Sequence, residues 1–494
     1  MVLFFALNKK NNSVAYATLL ILKKNIMLIY IANKEEKNMK KSILLLILPA
    51  LLLSSCGSSK EERMTVNYTL APSLRKADSK KTGGYNLTFK MEDSYFDSDA
   101  TEFNKDIALL SNGKSLMAET EATIRSFYSA MEFDNLSINY PEHTEDTIQY
   151  AIAHKKIGDY DLISVAINGH YYGLEWKNNA LLGLDGDHEG FAARANDVYD
   201  ALKTYLSENE YEDYKLWISG FSRGGAISNV LSHYILSEGE FEIAKKDMFV
   251  YTFECPKGLD KDDAPEYENV FNILYSGDTV TYMAPSEYGF ARCGIDIDLY
   301  ESSLHTDEVL FDFDEDISIP AFKACKDLAG GDLNSEQDVC KYFFSYLARE
   351  GEDVEDKDLY IPTRADFVTK VQSTVQFVLA MAFSLTPEVK QQLIEDVKKL
   401  GPGALSLIND PVSLAIFLAP YLYNSGFPFE ASQLVADCTV LTRVVGTDIM
   451  LVLSVVMYLM GSESDLGANL VRSFMVHYPE VNHALLKDYL ANLE

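Results

Sequence analysis

Lys215-Leu-Trp-Ile-Ser-Gly220-Phe-Ser222-Arg-Gly224-Gly225-Ala-Ile-Ser-Asn-Val-Leu231 joins an apolar run, a small-residue turn and a helix-spaced segment without a break. The run as far as Ser219 suits a buried strand, and Ala226, Ile227, Val230 and Leu231 recur at helical spacing directly after the turn. Between them Ser222 sits in a Gly-x-Ser-x-Gly turn, flanked by Gly220 and Gly224. A serine held in such a strand-to-helix corner stands clear of the sheet and can meet a substrate, and only small flanking residues permit the corner. Gly225 and Ala226 allow the helix to begin close to the strand. Five loosely specified positions also match by chance, so it is the strand before and the helix after that give this turn the meaning of a nucleophile elbow.

Upstream, Asp161-Leu-Ile-Ser-Val-Ala-Ile167 predicts a second buried strand, ending in Asn168-Gly169-His170. A loop after such a strand can supply a backbone amide to an oxyanion, and the N–H of His170 is the candidate; Asn-Gly read alone is simply a turn. Apolar positions predict one helix from near Ser115 to Phe133, and another, Ala192 to Leu206, leads from Asp187-His188-Glu189-Gly190-Phe191 back to the elbow strand. Downstream, Met248 to Phe253 reads as a strand with the loop Cys255-Pro-Lys-Gly258, and Val270 to Tyr275 as another, ending in Ser276-Gly277-Asp278. Strands alternating with helices imply an α/β protein with a mostly parallel sheet and its working groups at the carboxyl ends of the strands. Asp278 stands at such an end, where a carboxylate can meet a histidine; the plainer alternative is a turn aspartate.

With these pieces in order, the sequence resembles the class 3, fungal-type lipases of the α/β-hydrolase superfamily. The landmarks are Ile167-Asn168-Gly169-His170 at the oxyanion loop, His188-Glu-Gly-Phe191, Gly220-Phe-Ser-Arg-Gly-Gly225, and Ser276-Gly-Asp278-x-Val-x-x-x-Ala-Pro285. Tyr288-Gly-Phe290-Ala-Arg-Cys-Gly294 extends the similarity, which is good over about residues 85 to 300 and poor beyond. Asn168 stands where the family usually has Arg, and Arg223 where Leu or Gln is commoner. The resemblance implies an α/β-hydrolase that needs no cofactor, with Ser222 as nucleophile, Asp278 as acid, and the amides of His170 and Arg223 as oxyanion donors.

A serine hydroxyl is a weak nucleophile, so a histidine must take its proton and a carboxylate must hold the imidazolium. The order Ser, Asp, His leaves His305, His477 and His483 after Asp278. His477, in Met475-Val-His477-Tyr-Pro-Glu, resembles the short histidine segment near the C-terminus of related lipases and is the chosen base; His305 is the alternative. About residues 300 to 473 form an insertion, read as mainly helical from the apolar residues of Phe367 to Phe383 and Ile449 to Met460. It reads as a cap over the active site or, equally, as buried helices completing the core.

The chain has 494 residues, of which 47% are hydrophobic, so a sizeable core is available, and a net charge of -31 disfavours nucleic acid and bare anionic membrane surfaces as partners. Its six cysteines show neither metal-ligand spacing nor a disulfide framework. Met39-Lys-Lys-Ser-Ile-Leu-Leu-Leu-Ile-Leu-Pro-Ala-Leu-Leu-Leu-Ser-Ser-Cys56 has a basic start, an apolar run short for a membrane span, and a final Leu53-Ser-Ser-Cys56. It resembles a bacterial lipoprotein signal, which implies residues 39 to 55 as signal peptide, Cys56 as the lipidated N-terminus, and a membrane partner through that anchor. Residues 1 to 38 then read as an upstream extension assigned in error, since Lys34-Glu-Glu-Lys-Asn38 can be encoded by a purine-rich ribosome-binding string just ahead of Met39. Residues 56 to 84 read as a flexible tether and 85 to 494 as the catalytic domain. The expectation is a lipid-anchored extracytoplasmic serine esterase or lipase of the bacterial envelope. The alternative is a catalytically silent surface protein that keeps the hydrolase shape to bind lipid, glycan or a protein partner; among enzymes, a thioesterase or peptidase shares the same chemistry.

Overall fold

The apolar runs become the interior strands of a seven-stranded sheet. The computed structural model describes residues 61–68, 85–141, 147–169, 176–275, 278–299, 363–372, 376, 385–400, 410–427, 429–439, 477 and 479–493. In chain order the strands are β1 (Glu61–Tyr68), β2 (Tyr85–Glu92), β3 (Asp134–Asn139), β4 (Tyr150–Ile157), β5 (Tyr160–Ile167), β6 (Tyr214–Phe221), β7 (Met248–Phe253), β8 (Leu259–Asp260), β9 (Val270–Leu274), β10 (Phe290–Ala291) and β11 (Ile295–Asp298). The main sheet runs β11-β9-β7-β6-β5-β4-β3, parallel from β11 to β5 and antiparallel at the β4 and β3 edge. The elbow strand β6 lies at its centre.

Successive residues of a strand point to opposite faces, and the central strands use the two faces differently. Leu216 and Ile218 of β6, with Met248 and Val250 of β7, pack under helices α3 (Glu189–Glu208) and α4 (Arg223–Glu238). Trp217, Phe249, Tyr251 and Phe253 face the other way, against α1 (Lys105–Met117), α2 (Glu121–Ala130) and the C-terminal helix α7 (Pro479–Asn492). Burial on both faces is why these strands read as nearly continuous apolar runs.

Two sequence expectations change. The single helix predicted from Ser115 to Phe133 is two helices. Ala118 ends α1, and Thr120 starts α2 through a capping box in which the Thr120 and Thr123 side chains exchange hydrogen bonds with each other's backbone N–H. The tether predicted over 56–84 does not hold for Glu61–Tyr68, which pair antiparallel with β2 and belong to the same unit as the main sheet. Met64 and Val66 alternate with polar residues and pack on the core, while Glu62 forms a buried ion pair with Lys155 of β4. Low overall hydrophobicity concealed a period of two.

In the described part of the insertion, α5 (Pro387–Leu400) and α6 (Pro411–Asn424) build a small core from Leu393, Leu414, Leu418, Leu422, Leu434 and neighbours. Nearer the sheet, Phe367 packs with Leu182, Ala284, Tyr288 and Phe290. Arg364 fastens this end: its guanidinium donates to the carbonyls of Leu182, Gly183, Asp185, Gly186 and Tyr288 and lies 4.1 Å from the centre of the Phe290 ring. The rest of the insertion, including Ile449 to Met460, lies outside the described residues, as do residues 1 to 60 with Cys56.

Candidate active site

Ser222 is the corner between β6 and α4. Its backbone has φ 54° and ψ −126°, a conformation that costs on the order of 1–3 kcal/mol for a residue with a side chain and must be imposed by its surroundings. Its N–H donates to the Phe253 carbonyl of β7 at 2.8 Å, and its carbonyl accepts from Ala226 N–H at 2.9 Å, so the corner is clamped by the neighbouring strand and by the helix it opens. A Cβ on Gly220 would run into the carbonyl of Gly224, and one on Gly224 into the carbonyl of Ile167 in β5. The two glycines therefore let helix, elbow and neighbouring strand approach each other.

The chain brings two distant groups to this serine. His477, which precedes α7, places Nε2 2.6 Å from Ser222 Oγ, and its Nδ1 bonds Asp278 Oδ2. With Nδ1–H donating to the carboxylate, Nε2 is free to accept the serine proton. Asp278 is fully buried; its Oδ1 accepts from Val280 N–H at 2.9 Å, and its carbonyl accepts from the Thr281 hydroxyl at 2.7 Å. It caps the short turn Thr279–Tyr282, so one loop geometry fixes both carboxylate oxygens. The imidazole ring also lies against Phe221, with ring centres 5.0 Å apart.

Arg223 is the first residue of α4, so its amide lies at the positive end of the helix dipole beside Ser222. Its side chain is buried and contributes to the electrostatics of Asp197 and His188. Asn168, where the resemblance departs from the family, donates through its amide to Gln149 Oε1 at 2.7 Å and thereby ties the end of β5 to the β4 edge. His170, the other proposed oxyanion donor, and His305, the alternative base, lie outside the described residues. His483, which the order of residues left open, is buried away from Ser222: its Nδ1 bonds Asn112 Oδ1 at 2.6 Å, and burial pushes its pKa down to about 3. His188 is likewise neutral, its pKa lowered to about 3 by burial. It caps α3 by accepting from Phe191 N–H at 3.3 Å, donates to the Asn179 carbonyl at 3.2 Å and stacks on Phe191.

Sequence reasoning missed Glu254. It directly follows β7 and precedes the Cys-Pro loop, is 1% exposed, and has φ 44°. Its carboxyl accepts from Tyr275 N–H at 2.9 Å and from the Asn482 side chain, and burial together with the charge of Asp278 pushes its pKa well above the usual carboxylate range. The signal was present: a lone carboxylate follows a mostly apolar strand at the carboxyl edge, where the working groups of such a sheet stand.

A mostly parallel sheet with a strained serine corner after its central strand defines an α/β-hydrolase. Within it, residues 175–288 match the family Lipase (class 3), so the segment carrying the elbow and Asp278 is lipase-like. Similar solved structures include a fungal lipase in an inhibitor complex described as a model for interfacial activation (18% identity, 40% of this chain and 80% of that chain, TM-score 0.30). Lipase II from Rhizopus niveus (16%, 42% and 80%, 0.28) and Lip2 lipase from Yarrowia lipolytica (16%, 39% and 77%, 0.28) are also similar. No curated protein sequence matches at a significant level.

Proposed function

We propose that the chain is a serine esterase of lipase type that hydrolyses carboxylic esters of lipids through an acyl-enzyme. The observation that carries this reading is the relay itself: His477 Nε2 lies 2.6 Å from Ser222 Oγ, with Asp278 on the other ring nitrogen. Ser222 Oγ attacks the ester carbonyl as its proton passes to His477 Nε2, and the fully buried Asp278 stabilises the imidazolium. The carbonyl oxygen becomes an oxyanion facing the amides of Arg223 and His170, each donor worth about 3–4 kcal/mol in acyl-transfer sites of this kind. The imidazolium then gives its proton to the leaving alcohol. Water, deprotonated by His477, attacks acyl-Ser222, and collapse of the second intermediate releases the acid and restores the serine.

A fluorophosphonate probe, with hydrolysis of p-nitrophenyl acyl esters of increasing chain length, tests the reading. Wild type is expected to label at Ser222 and turn over ester, while Ser222→Ala and His477→Ala do neither. A folded wild type inert to both reagents removes the enzyme claim, and labelling of Ser222→Ala removes the nucleophile.

The envelope address rests on the sequence from Met39 to Cys56. Among the described residues no helix is long and apolar enough to cross a membrane. Metabolic labelling with a fatty acid, lost in Cys56→Ser, is the expected result; an unlabelled mature wild-type chain refutes the anchor. Mass spectrometry of the unprocessed chain tests the start at Met39, and peptides from residues 1 to 38 would contradict it.

A further inference from the structure

Two carboxyl groups meet behind the histidine. Asp278 stands after β9, and Glu254 directly follows β7, the strand between β9 and the elbow strand. Both side chains are excluded from water, and Glu254 is bonded to Tyr275 N–H, three residues before Asp278, so the charge of Asp278 acts on it. Burial and the charge of the other carboxylate both disfavour a second negative charge here, so a proton on one of the two is favoured. The partners say which group carries it. Both oxygens of Asp278 are already engaged as acceptors, Oδ2 from His477 Nδ1–H and Oδ1 from Val280 N–H. Glu254 is withdrawn from solvent, faces Asp278, and has its pKa pushed well above the usual carboxylate range, first by burial and then by the Asp278 charge. Among the described residues, the titratable groups placed beside Glu254 are Asp278, Cys255 and Tyr275, with His477 beyond Asp278.

Glu254 also joins the two segments that must come together to make the relay. Its carboxyl accepts from Tyr275 N–H, in the loop that leads to Asp278, and from Asn482 Nδ2, on the helix that follows His477. Asn482 Oδ1 in turn accepts from Asn112 Nδ2 at 2.7 Å, and Asn112 Oδ1 from His483 Nδ1–H, which anchors that helix to α1. The left-handed backbone of Glu254 is one that a side chain adopts only at a cost, and here it turns the carboxyl back under the Asp278 loop.

We propose that Glu254 is a positioning residue of the catalytic relay: its protonated carboxyl donates a hydrogen bond to Asp278 and, through Asn482, fixes the helix that follows His477. This deepens the esterase reading and rests on the Ser222–His477–Asp278 assignment. In this arrangement the hydrogen bond draws charge from Asp278 and holds the carboxylate where Oδ2 faces the imidazole. Without it Asp278 turns more freely and presents its full charge to His477, so kcat falls and the histidine becomes a stronger base.

The test uses the full-length protein with p-nitrophenyl butyrate, fluorophosphonate labelling, and rates between about pH 5 and 9, where the acid limb of kcat/KM reports the base of the free enzyme. Glu254→Gly removes the carboxyl while suiting the left-handed backbone, and Glu254→Gln keeps an uncharged hydrogen-bond donor at every pH. The expected result for Glu254→Gly is a kcat lower by about tenfold or more, KM within about threefold, and an acid limb moved to higher pH. Glu254→Gln must give up one of the two acceptor bonds, to Tyr275 N–H or to Asn482 Nδ2, and is expected to lose less than about tenfold in kcat, with the acid limb unmoved. A folded Glu254→Gly with wild-type kcat and limb overturns the inference, as does a Glu254→Gln variant that falls as far as Glu254→Gly or shifts the limb. Should Glu254→Gly fail to fold, as read by circular dichroism, Glu254→Gln decides on the same criteria. A wild type that neither labels nor turns over overturns the relay and this inference with it; a labelling wild type with an unaffected Glu254→Gly overturns this inference alone.

Discussion

Asp278→Asn removes one negative charge and almost no volume, and the surrounding hydrogen bonds dictate how the amide must sit. The Oδ1 position accepts from Val280 N–H at 2.9 Å, and an amide NH2 turned toward that N–H would set two donors face to face. The amide oxygen therefore keeps the Val280 bond, and the NH2 faces His477 Nδ1. Nδ1 must then accept, which moves the ring proton to Nε2, 2.6 Å from Ser222 Oγ, where a proton acceptor is needed. In another serine hydrolase relay with intact geometry, the same change of tautomer lowers kcat on the order of 10⁴-fold. At 1.36 kcal/mol per tenfold this is about 5.4 kcal/mol of lost transition-state stabilisation. Initial rates on p-nitrophenyl butyrate are expected to show that loss in kcat with KM little changed, and fluorophosphonate labelling to slow in parallel. A folded Asp278→Asn variant within tenfold of wild type would refute the assignment of Asp278 as the orienting acid, because no arrangement of this amide leaves both the Val280 bond and the productive tautomer intact.

Gly224→Ala directs a methyl group at the Ile167 carbonyl, and because the obstacle is backbone the strain cannot relax through a rotamer; a loss of at least about 1–3 kcal/mol in urea unfolding is expected, and an unchanged midpoint would contradict the close approach. His188 and His483 are neutral in the fold, with pKa values of about 3, against about 6.5 unfolded. The unfolded chain thus binds more protons over that interval, so stability is full above about pH 6.5 and falls below it by about 1.4 kcal/mol per pH unit per histidine until about pH 3. Melting temperatures that stay flat from neutrality to about pH 4 would count against both buried neutral histidines. Arg364→Ala leaves five loop carbonyls without their guanidinium partner and is expected to lower stability by roughly 2 kcal/mol and to hasten proteolysis near residues 182–186; protease resistance equal to wild type would show that the latch is dispensable.

Local features were legible in the sequence because their causes are local. The apolar continuity of Met248 to Phe253 comes from burial on both faces, and the small residues around Ser222 come from a corner that a bulkier side chain would block. The same reasoning failed where two signals overlapped. Apolar residues on both sides of Thr120 hid a helix boundary that its capping box creates, and the polar residues that alternate with Met64 and Val66 hid a strand.

What the sequence could not say is which groups meet. Three histidines satisfied the order of residues, and only the resemblance of its segment to that of related lipases favoured His477 over His305, because the bond to Ser222 spans 255 residues and the bond to Asp278 spans 199. Glu254 was invisible as a partner for the same reason: Asn482 is 228 residues away, and its contact depends on the sheet being closed and the last helix docked. Periodicity and turn chemistry act over a few residues and so are written in the chain order. The proximity of Ser222, His477, Asp278 and Glu254 arises when burial of the two faces of the sheet forces distant segments onto one edge, and that edge exists only in the folded protein.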